Sequence, residues 1–366
     1  MELLAPAGTE EALRAAVAGG ADAVYLGGKS FGARHFAGNF SDRQLAGAIE
    51  LAHAHDMCVY VTVNTLIKEA EMADALAFVG MLDTLGADAV IVQDRGLLPL
   101  IKDRFSIPVH ASTQMGIHSL AGAAWAQEQG AERVILAREL GLEQVQRIAE
   151  GAEVGVEVFI HGAQCYCFSG QCLFSSFHGG RSGNRGMCAQ PCRKRYSLGN
   201  REGYLLSTAD MFAIDAIPAL MRSGVKALKI EGRMRSPQYV YLTSMVYRRA
   251  IERAREGTSP LITERERELL EVVFNRGFSG GYLKDKELIQ PSYPESRGRP
   301  LGTASVKDGR LEMPRHTLCP SDGISLYRGD VKVGGFDLKP SDLQVDVVQA
   351  VPPFPLRDGD YAVYKT

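Results

Sequence analysis

The sequence predicts an α/β protein in which eight βα units close into a parallel barrel, and three observations carry that prediction. Four segments repeat one phrase: "GGADAVYLGG", "LGADAVIVQD", "QGAERVILAREL" and "SGVKALKIEGR". Each sets a Gly behind a helix-like segment and then enters an apolar run, the pattern of a helix C-cap followed by a strand buried on both faces. Polar residues also stand at many strand exits at once: Asn64, Gln93 with Asp94, Ser112 with Gln114, Arg138 with Glu139, His161, and Glu231 with Arg233. A barrel carries its site on that C-terminal rim. Finally, no Gly-rich dinucleotide turn follows the first strand, which sets a doubly wound open sheet behind the barrel.

Further strands are expected at residues 2–5, 58–63, 108–111 and 157–160, between helical segments with readable starts. Ser41 to Gln44 is a capping box opening an apolar-periodic run to His53. Ser236 followed by Pro237 is an N-cap with proline at the first helical position. Thr263 and Glu266 form a second capping box. The (β/α)8 TIM-like barrel is expected over residues 1–286, with a Cys-rich insertion at 162–202 after strand seven. Residues 287–299 are rich in Pro and Ser and read as a linker. Beyond them, "GISLYRGDVKVGG" and "GDYAVYKT" alternate around Gly-Asp turns, so a small β-barrel domain is expected over 300–366.

At 366 residues and 45% hydrophobic content the chain can build one large core and an appendage. A net charge of -2 argues against a general nucleic-acid coat but leaves local patches open. The N-terminus, "MELLAPAGTEEALRAAVAGG", has neither the basic start nor the apolar run of a secretory signal. No stretch approaches the roughly 18 apolar residues of a membrane span. A cytoplasmic protein with reduced thiols is therefore expected, and clustered cysteines there bind metal or do chemistry more often than they pair.

Five of the seven cysteines crowd into "HGAQCYCFSGQC" and "GMCAQPC". Cys165, Cys172, Cys188 and Cys192 read C-x6-C-x15-C-x3-C. Zinc ribbons bring paired short knuckles, and only one is present, whereas iron–sulfur clusters accept scattered thiolates. Soft sulfur donors exclude magnesium and calcium. An iron–sulfur site, a zinc site and metal-free thiols all remain open, in that order. Alternation with Cys165 points Cys167 elsewhere; Cys58 reads as a small buried hydrophobe and Cys319 as a loop residue. From Val158 to Arg201 there is no Asp or Glu, while Arg181, Arg185, Arg193, Lys194, Arg195 and Arg201 are present. Such a surface either attracts an anionic partner, RNA being the obvious large one, or simply offsets the thiolates in a solvated loop. Phe168, Phe174 and Phe177 are expected to pack within the insertion rather than stack on bases.

The stretch "EVFIHGAQCYCFSGQCLFSS" followed by "GRSGNRGMCAQPCRKRY" resembles the signature of the peptidase U32 family, the collagenase-like proteins. Agreement continues through "LLAPAG", "GARHFAGNF", "VTVNT", "VQDRG", "HASTQM", "KIEGRM" and "FNRGFSGGYL". The longer-chain branch, with a bacterial member that hydroxylates a cytidine of ribosomal RNA, looks most similar. Other relatives hydroxylate transfer-RNA uridine or take part in oxygen-independent ubiquinone hydroxylation. The resemblance implies RNA base hydroxylation, a [4Fe-4S] cluster and prephenate as a small carboxylate oxygen donor. It matches Cys165, Cys172 and Cys188 to three cluster ligands. Relatives place the fourth either at the position of Cys192 or where Phe212 stands here, so the fourth is Cys192 or none.

On that reading His161 acts as acid or base, His110 and Gln114 position the donor, and Arg138, Lys229 and Arg233 hold carboxylates or phosphates. Glu157, Glu139 and Glu231 orient those cations or act as bases, while Asn64, Glu139, Arg181, Arg185 and Arg193 contact substrate. The plainer alternative for each is a structural salt bridge at the rim. A U32 peptidase would need another site: there is no H-E-x-x-H and no G-x-S-x-G, leaving Cys167 with His161 or His178. A third possibility is a non-enzymatic RNA-binding protein in which the cluster only staples a basic loop.

Overall fold

The computed structural model describes every residue except His35 and Lys286. Seven strands run in order through the first half: β1 (Glu2–Pro6), β2 (Ala23–Gly27), β3 (Cys58–Val63), β4 (Ala89–Val92), β5 (Val109–Ala111), β6 (Arg133–Ile135) and β7 (Gly155–Ala163). The insertion follows, with the hairpin β8 (Tyr196–Leu198) and β9 (Arg201–Gly203). Strand β10 (Asp210–Phe212) then returns antiparallel along the end of β7. The eighth barrel strand, β11 (Ala227–Ile230), pairs in parallel with both β7 and β1 and closes the ring. A short β12 (Phe278–Ser279) flanks β10.

The fourfold echo has a local cause. Gly20, Gly86, Gly130 and Gly224 all have φ between 76° and 103°, the left-handed conformation that ends a helix before the next strand. The acid two residues later works too in two of the four: Asp22 accepts the Leu3 amide and Asp88 the Val59 amide, each at 2.7 Å. That bond fixes where the preceding strand starts. The capping boxes at Ser41–Gln44 and Thr263–Glu266 are both formed, and Ser236 caps the helix Pro237–Glu256. Among the described residues no helix is long and apolar enough to cross a membrane.

After the linker six antiparallel strands, β13 (Arg299–Lys307), β14 (Arg310–Pro314), β15 (Gly323–Arg328), β16 (Val331–Asp337), β17 (Val347–Ala350) and β18 (Gly359–Lys365), form one curled sheet. It encloses its own core of Ala304, Leu311, Ile324, Leu326, Val348 and Val363. Arg299 ties it to the helix Glu264–Val272 through Glu268 at 2.8 Å.

Inside the barrel, its N-terminal half is plugged by charge rather than by aliphatic layers alone. Arg133 binds Glu2 at 2.6 Å and Glu157 at 3.2 Å, and Lys229 binds Glu157 at 2.8 Å. His110 packs edge-on against Tyr60 beside them, ring centres 4.6 Å apart. Glu157 is fully buried, so its two cations are what keep its charge tolerable. Burial pushes its carboxyl up, and Lys229 with Arg133 more than reverse this.

Candidate active site

Two cavities meet at the C-terminal mouth of the barrel. The smaller, about 40 Å³, lies within the strand ends and is lined by Tyr25, Arg34, Thr62, Asn64, Gln114, Arg138, Lys229, Glu231 and Arg233 among others. The larger, about 230 Å³, lies between the mouth and the insertion, and Cys165, Cys167, Cys172, Cys188 and Cys192 all line it. Arg34, Thr113, Gln114, Arg138 and Glu231 belong to both, so one opens onto the other.

The small cavity is an arginine cluster around one carboxylate. Glu231 accepts from Arg34 at 3.0 Å and faces Arg138 at 3.5 Å. Burial presses its carboxyl up, but Arg34, Arg138 and Arg233 outweigh this and hold it at about 2. Arg233 is 3% exposed and donates Nη1 to Thr62 Oγ1 at 2.6 Å. Its Nε and Nη2 have no partner, nor does Arg138 Nε. Burial, then repulsion from Arg34, bring the Arg233 guanidinium down to about 10, so it stays charged at neutral pH. A buried cation with two idle donors costs several kcal/mol, which the charge of Glu231, shared with Arg34 and Arg138, only partly offsets.

The insertion is held on the mouth by groups that sequence reasoning assigned to substrate. Glu139 accepts from the Ser169 amide at 2.9 Å, the Ser169 hydroxyl at 2.8 Å and His118 Nε2 at 2.6 Å. Arg185 donates to both Glu71 oxygens at 2.7 Å and to the Leu66 carbonyl. Arg193 binds the Gln164 carbonyl, Ser207 and Thr208. Arg181 donates to the Met187 carbonyl and lies over the Phe36 ring. Gly170, at φ 73°, presses so close that a Cβ would lie 1.8 Å from the Gln114 carbonyl. These contacts place the thiols over the barrel independently of any metal.

Cys167 shares the cavity instead of pointing away, because its segment is turn rather than strand and alternation does not apply. Burial, a hydrogen bond with Cys172 and the neighbouring sulfurs push its thiol up to about 11. Burial likewise raises Cys192. A metal cation that binds such thiols displaces their protons into the solvent. Cys188 Sγ already accepts the Gln190 amide at 3.4 Å, as sulfurs of bound clusters do. Among the described residues no three His, Cys, Asp or Glu side chains close to the spacing of a single ion. A cubane spreads its ligands over separate corners, and five thiols in the wall of one cavity of about 230 Å³ are a donor set whose chemistry suits it. Phe174 packs on Tyr196 as expected, but Phe168 and Phe177 are 64% and 87% exposed and do not pack in the insertion core.

The two histidines stand apart from both cavities. Alternation from Glu157 and Phe159 would aim His161 inward, but β7 shifts register against β11 between the pairs Phe159–Lys229 and His161–Ile230. The extra residue turns His161 outward. There Tyr239, Tyr247, Phe212 and Phe278 enclose it, and Nδ1 meets the Tyr247 hydroxyl at 3.2 Å. No Cys–His hydrogen bond exists among the described residues. His110 and Glu157 sit in the charged plug below the mouth, outside the residues lining either cavity. Sequence reasoning missed Arg34, Tyr25, Thr62 and Gln164. Arg34 lay within the quoted "GARHFAGNF", while buried Gln164, whose amide has no partner, carried no signal beyond adjacency to Cys165.

Burial lowers both His110 and His161 to about 3, so each is neutral in the folded protein. Below about pH 6.5 the unfolded chain binds protons that the folded chain refuses, and each histidine removes about 1.4 kcal/mol of stability per pH unit. This loss continues until the pH reaches the folded values near 3. His161→Phe, which suits the aromatic cage, is expected to make denaturant stability fall less steeply with acid by one proton and to leave turnover intact. A folded variant without turnover would return His161 to the chemistry.

Comparison with known proteins finds similar chains. The 23S rRNA 5-hydroxycytidine synthase of Escherichia coli K12 is 40% identical over 259 residues, 69% of this chain and 39% of that protein. The tRNA hydroxylation protein P1 of Bacillus subtilis is 35% identical over 69% of this chain and 63% of its own length. A protein of Porphyromonas gingivalis named collagenase is 35% identical over 78% of this chain and 74% of its own. The chain thus spans well under half of the first and under two thirds of the second. Residues 8–290, the barrel with its Cys-rich insertion, match the family throughout, and the chain belongs to Peptidase family U32.

Proposed function

We propose that this protein hydroxylates a base of ribosomal or transfer RNA at the barrel mouth, with an iron–sulfur cluster held by the insertion and a small carboxylate as co-substrate. The observation that carries the reading is the opening of the arginine cavity directly into the thiol-walled one, with Arg34, Gln114, Arg138 and Glu231 common to both. Two relatives named for RNA hydroxylation support it. Cys165, Cys172, Cys188 and Cys192 would hold a [4Fe-4S] cluster, with Cys167 beside them. When bound, such a group relays electrons close to the arginines, and only a cluster left without the Cys192 thiolate would add an open, Lewis-acidic iron. Zinc closed by the same four thiols would supply neither.

The chain's own residues have defined tasks. Arg34, Arg138 and Arg233 carry three positive charges against the single negative charge of Glu231, leaving two uncompensated in the small cavity. That excess suits a dicarboxylate such as prephenate. The unpartnered Arg233 Nε and Nη2 and Arg138 Nε are the donors that would receive it. Glu231 stays ionised and fixes Arg34 and Arg138 in place. Lys229, tied to Glu157, forms the charged floor, and the insertion shields the junction from water. A target base must leave its stack to reach this depth.

The test is mass spectrometry of nucleosides from ribosomal and transfer RNA of cells with and without the gene. Loss of a hydroxylated cytidine or uridine, restored by the wild-type chain, is expected. Unchanged nucleosides in both RNA classes would refute the proposal.

A further inference from the structure

The cavity mouth is ringed by apolar side chains that the fold leaves in water. Phe177 is 87% exposed, Phe168 64%, Leu173 52% and Tyr166 46%. Phe168 and Tyr166 line the cysteine cavity, and Phe177 stands one helical turn beyond Phe174, which lines it too. Scattered exposed apolar residues need no explanation, but four within twelve residues around one opening form a patch, and such patches mark binding surfaces. The charge beside it is mainly positive. No acid occurs from Val158 to Arg201, and Lys194 and Arg201 are exposed, while the exposed Arg195 pairs with Glu202 at 3.2 Å. The cations that staple the insertion, Arg185 and Arg193, are occupied and do not contribute.

We infer that this rim is a stacking platform for unpaired nucleotides, with Phe168 and Phe177 receiving the faces of bases that flank the target and Lys194 following the phosphates. The inference rests on the proposed RNA reading and narrows it: the substrate is single-stranded or looped RNA, because a duplex hides its base faces. Aromatic rings with cations interleaved are what single strands select, since every base has a π-face and every linkage a negative charge. An acidic protein partner would use the cations but would gain little from outward rings. A second copy of the chain would use the rings but would bring its own cations against these.

The experiment is fluorescence anisotropy with one labelled RNA, as a single strand and annealed to its complement, for the wild type, Phe168→Ala, Phe177→Ala and Val345→Ala. Circular dichroism checks the fold of each. Val345 is 85% exposed in the C-terminal domain and serves as the control. Each Phe variant is expected to bind the single strand about five- to a hundredfold more weakly, with an unchanged slope against salt. Lys194→Gln is expected to weaken binding and flatten that slope. Phe variants that bind like wild type, or a duplex bound as tightly as the strand, would overturn the platform. So would a wild-type dimer that light scattering shows to dissociate in the Phe variants, which would assign the rim to a second copy. Nucleoside hydroxylation restored by a Phe double variant with normal RNA affinity sinks the platform alone; ring-dependent strand binding without any hydroxylation sinks the activity alone.

Discussion

Cys172→Ala is expected to abolish both the visible absorption of anaerobically purified protein and RNA hydroxylation, while the barrel stays folded. The wild type is expected to be brown, from iron–thiolate charge transfer. Folding should survive because the insertion is fastened by Glu139 to Ser169, Arg185 to Glu71 and Arg193 to Thr208, none of which involves sulfur. The same measurement separates candidates for the fourth ligand. Cys192→Ala should bleach the protein and Cys167→Ala should not; the reverse result would give the place to Cys167, which lines the same cavity. A colourless wild type that binds zinc with these thiols would remove the iron–sulfur assignment. Loading should release protons, since burial favours the protonated form of the ligand Cys192.

Arg233→Met is expected to stabilise the protein and to impair it. The wild-type side chain is buried with one partner, Thr62, and two idle donor groups. Removing an uncompensated charge from such a place typically returns about 1–4 kcal/mol, visible as a melting temperature raised by a few degrees. Losing two charge-assisted hydrogen bonds to a carboxylate costs about 1.5–3 kcal/mol each, so KM for that co-substrate should rise at least about tenfold. Arg233→Lys keeps the charge but not the planar fork, and should show the KM effect without the gain in stability. A lower melting temperature with unchanged KM would mean that Arg233 serves the fold alone. Melting temperature and the KM–kcat split together therefore decide its role.

Much of the scaffold was legible because its signals are local. Four Gly-led phrases marked helix ends, and all four glycines have the backbone angle that the phrase implied. Capping boxes depend on residues three apart and formed where they were read. Strand exits are visible in the sequence, so Asn64, Gln114, Arg138, Glu231 and Arg233 stand out there, and all five line one cavity. Errors fell where local rules meet tertiary geometry. His161 followed alternation until a one-residue bulge turned it outward. Glu139, Arg185 and Arg193 looked like substrate contacts because sequence cannot tell a free charge from one already paired across 29 to 114 positions.

By itself the sequence determined the eight βα units, the cysteine-bearing insertion between the seventh and eighth strands and the acid-free character of that segment, since each depends on neighbours along the chain. Only the tertiary structure decided which charges were spent. Pairing depends on distance in space, and closure of the barrel left Arg233 buried with idle donors while it satisfied Glu157, Arg185 and Arg193.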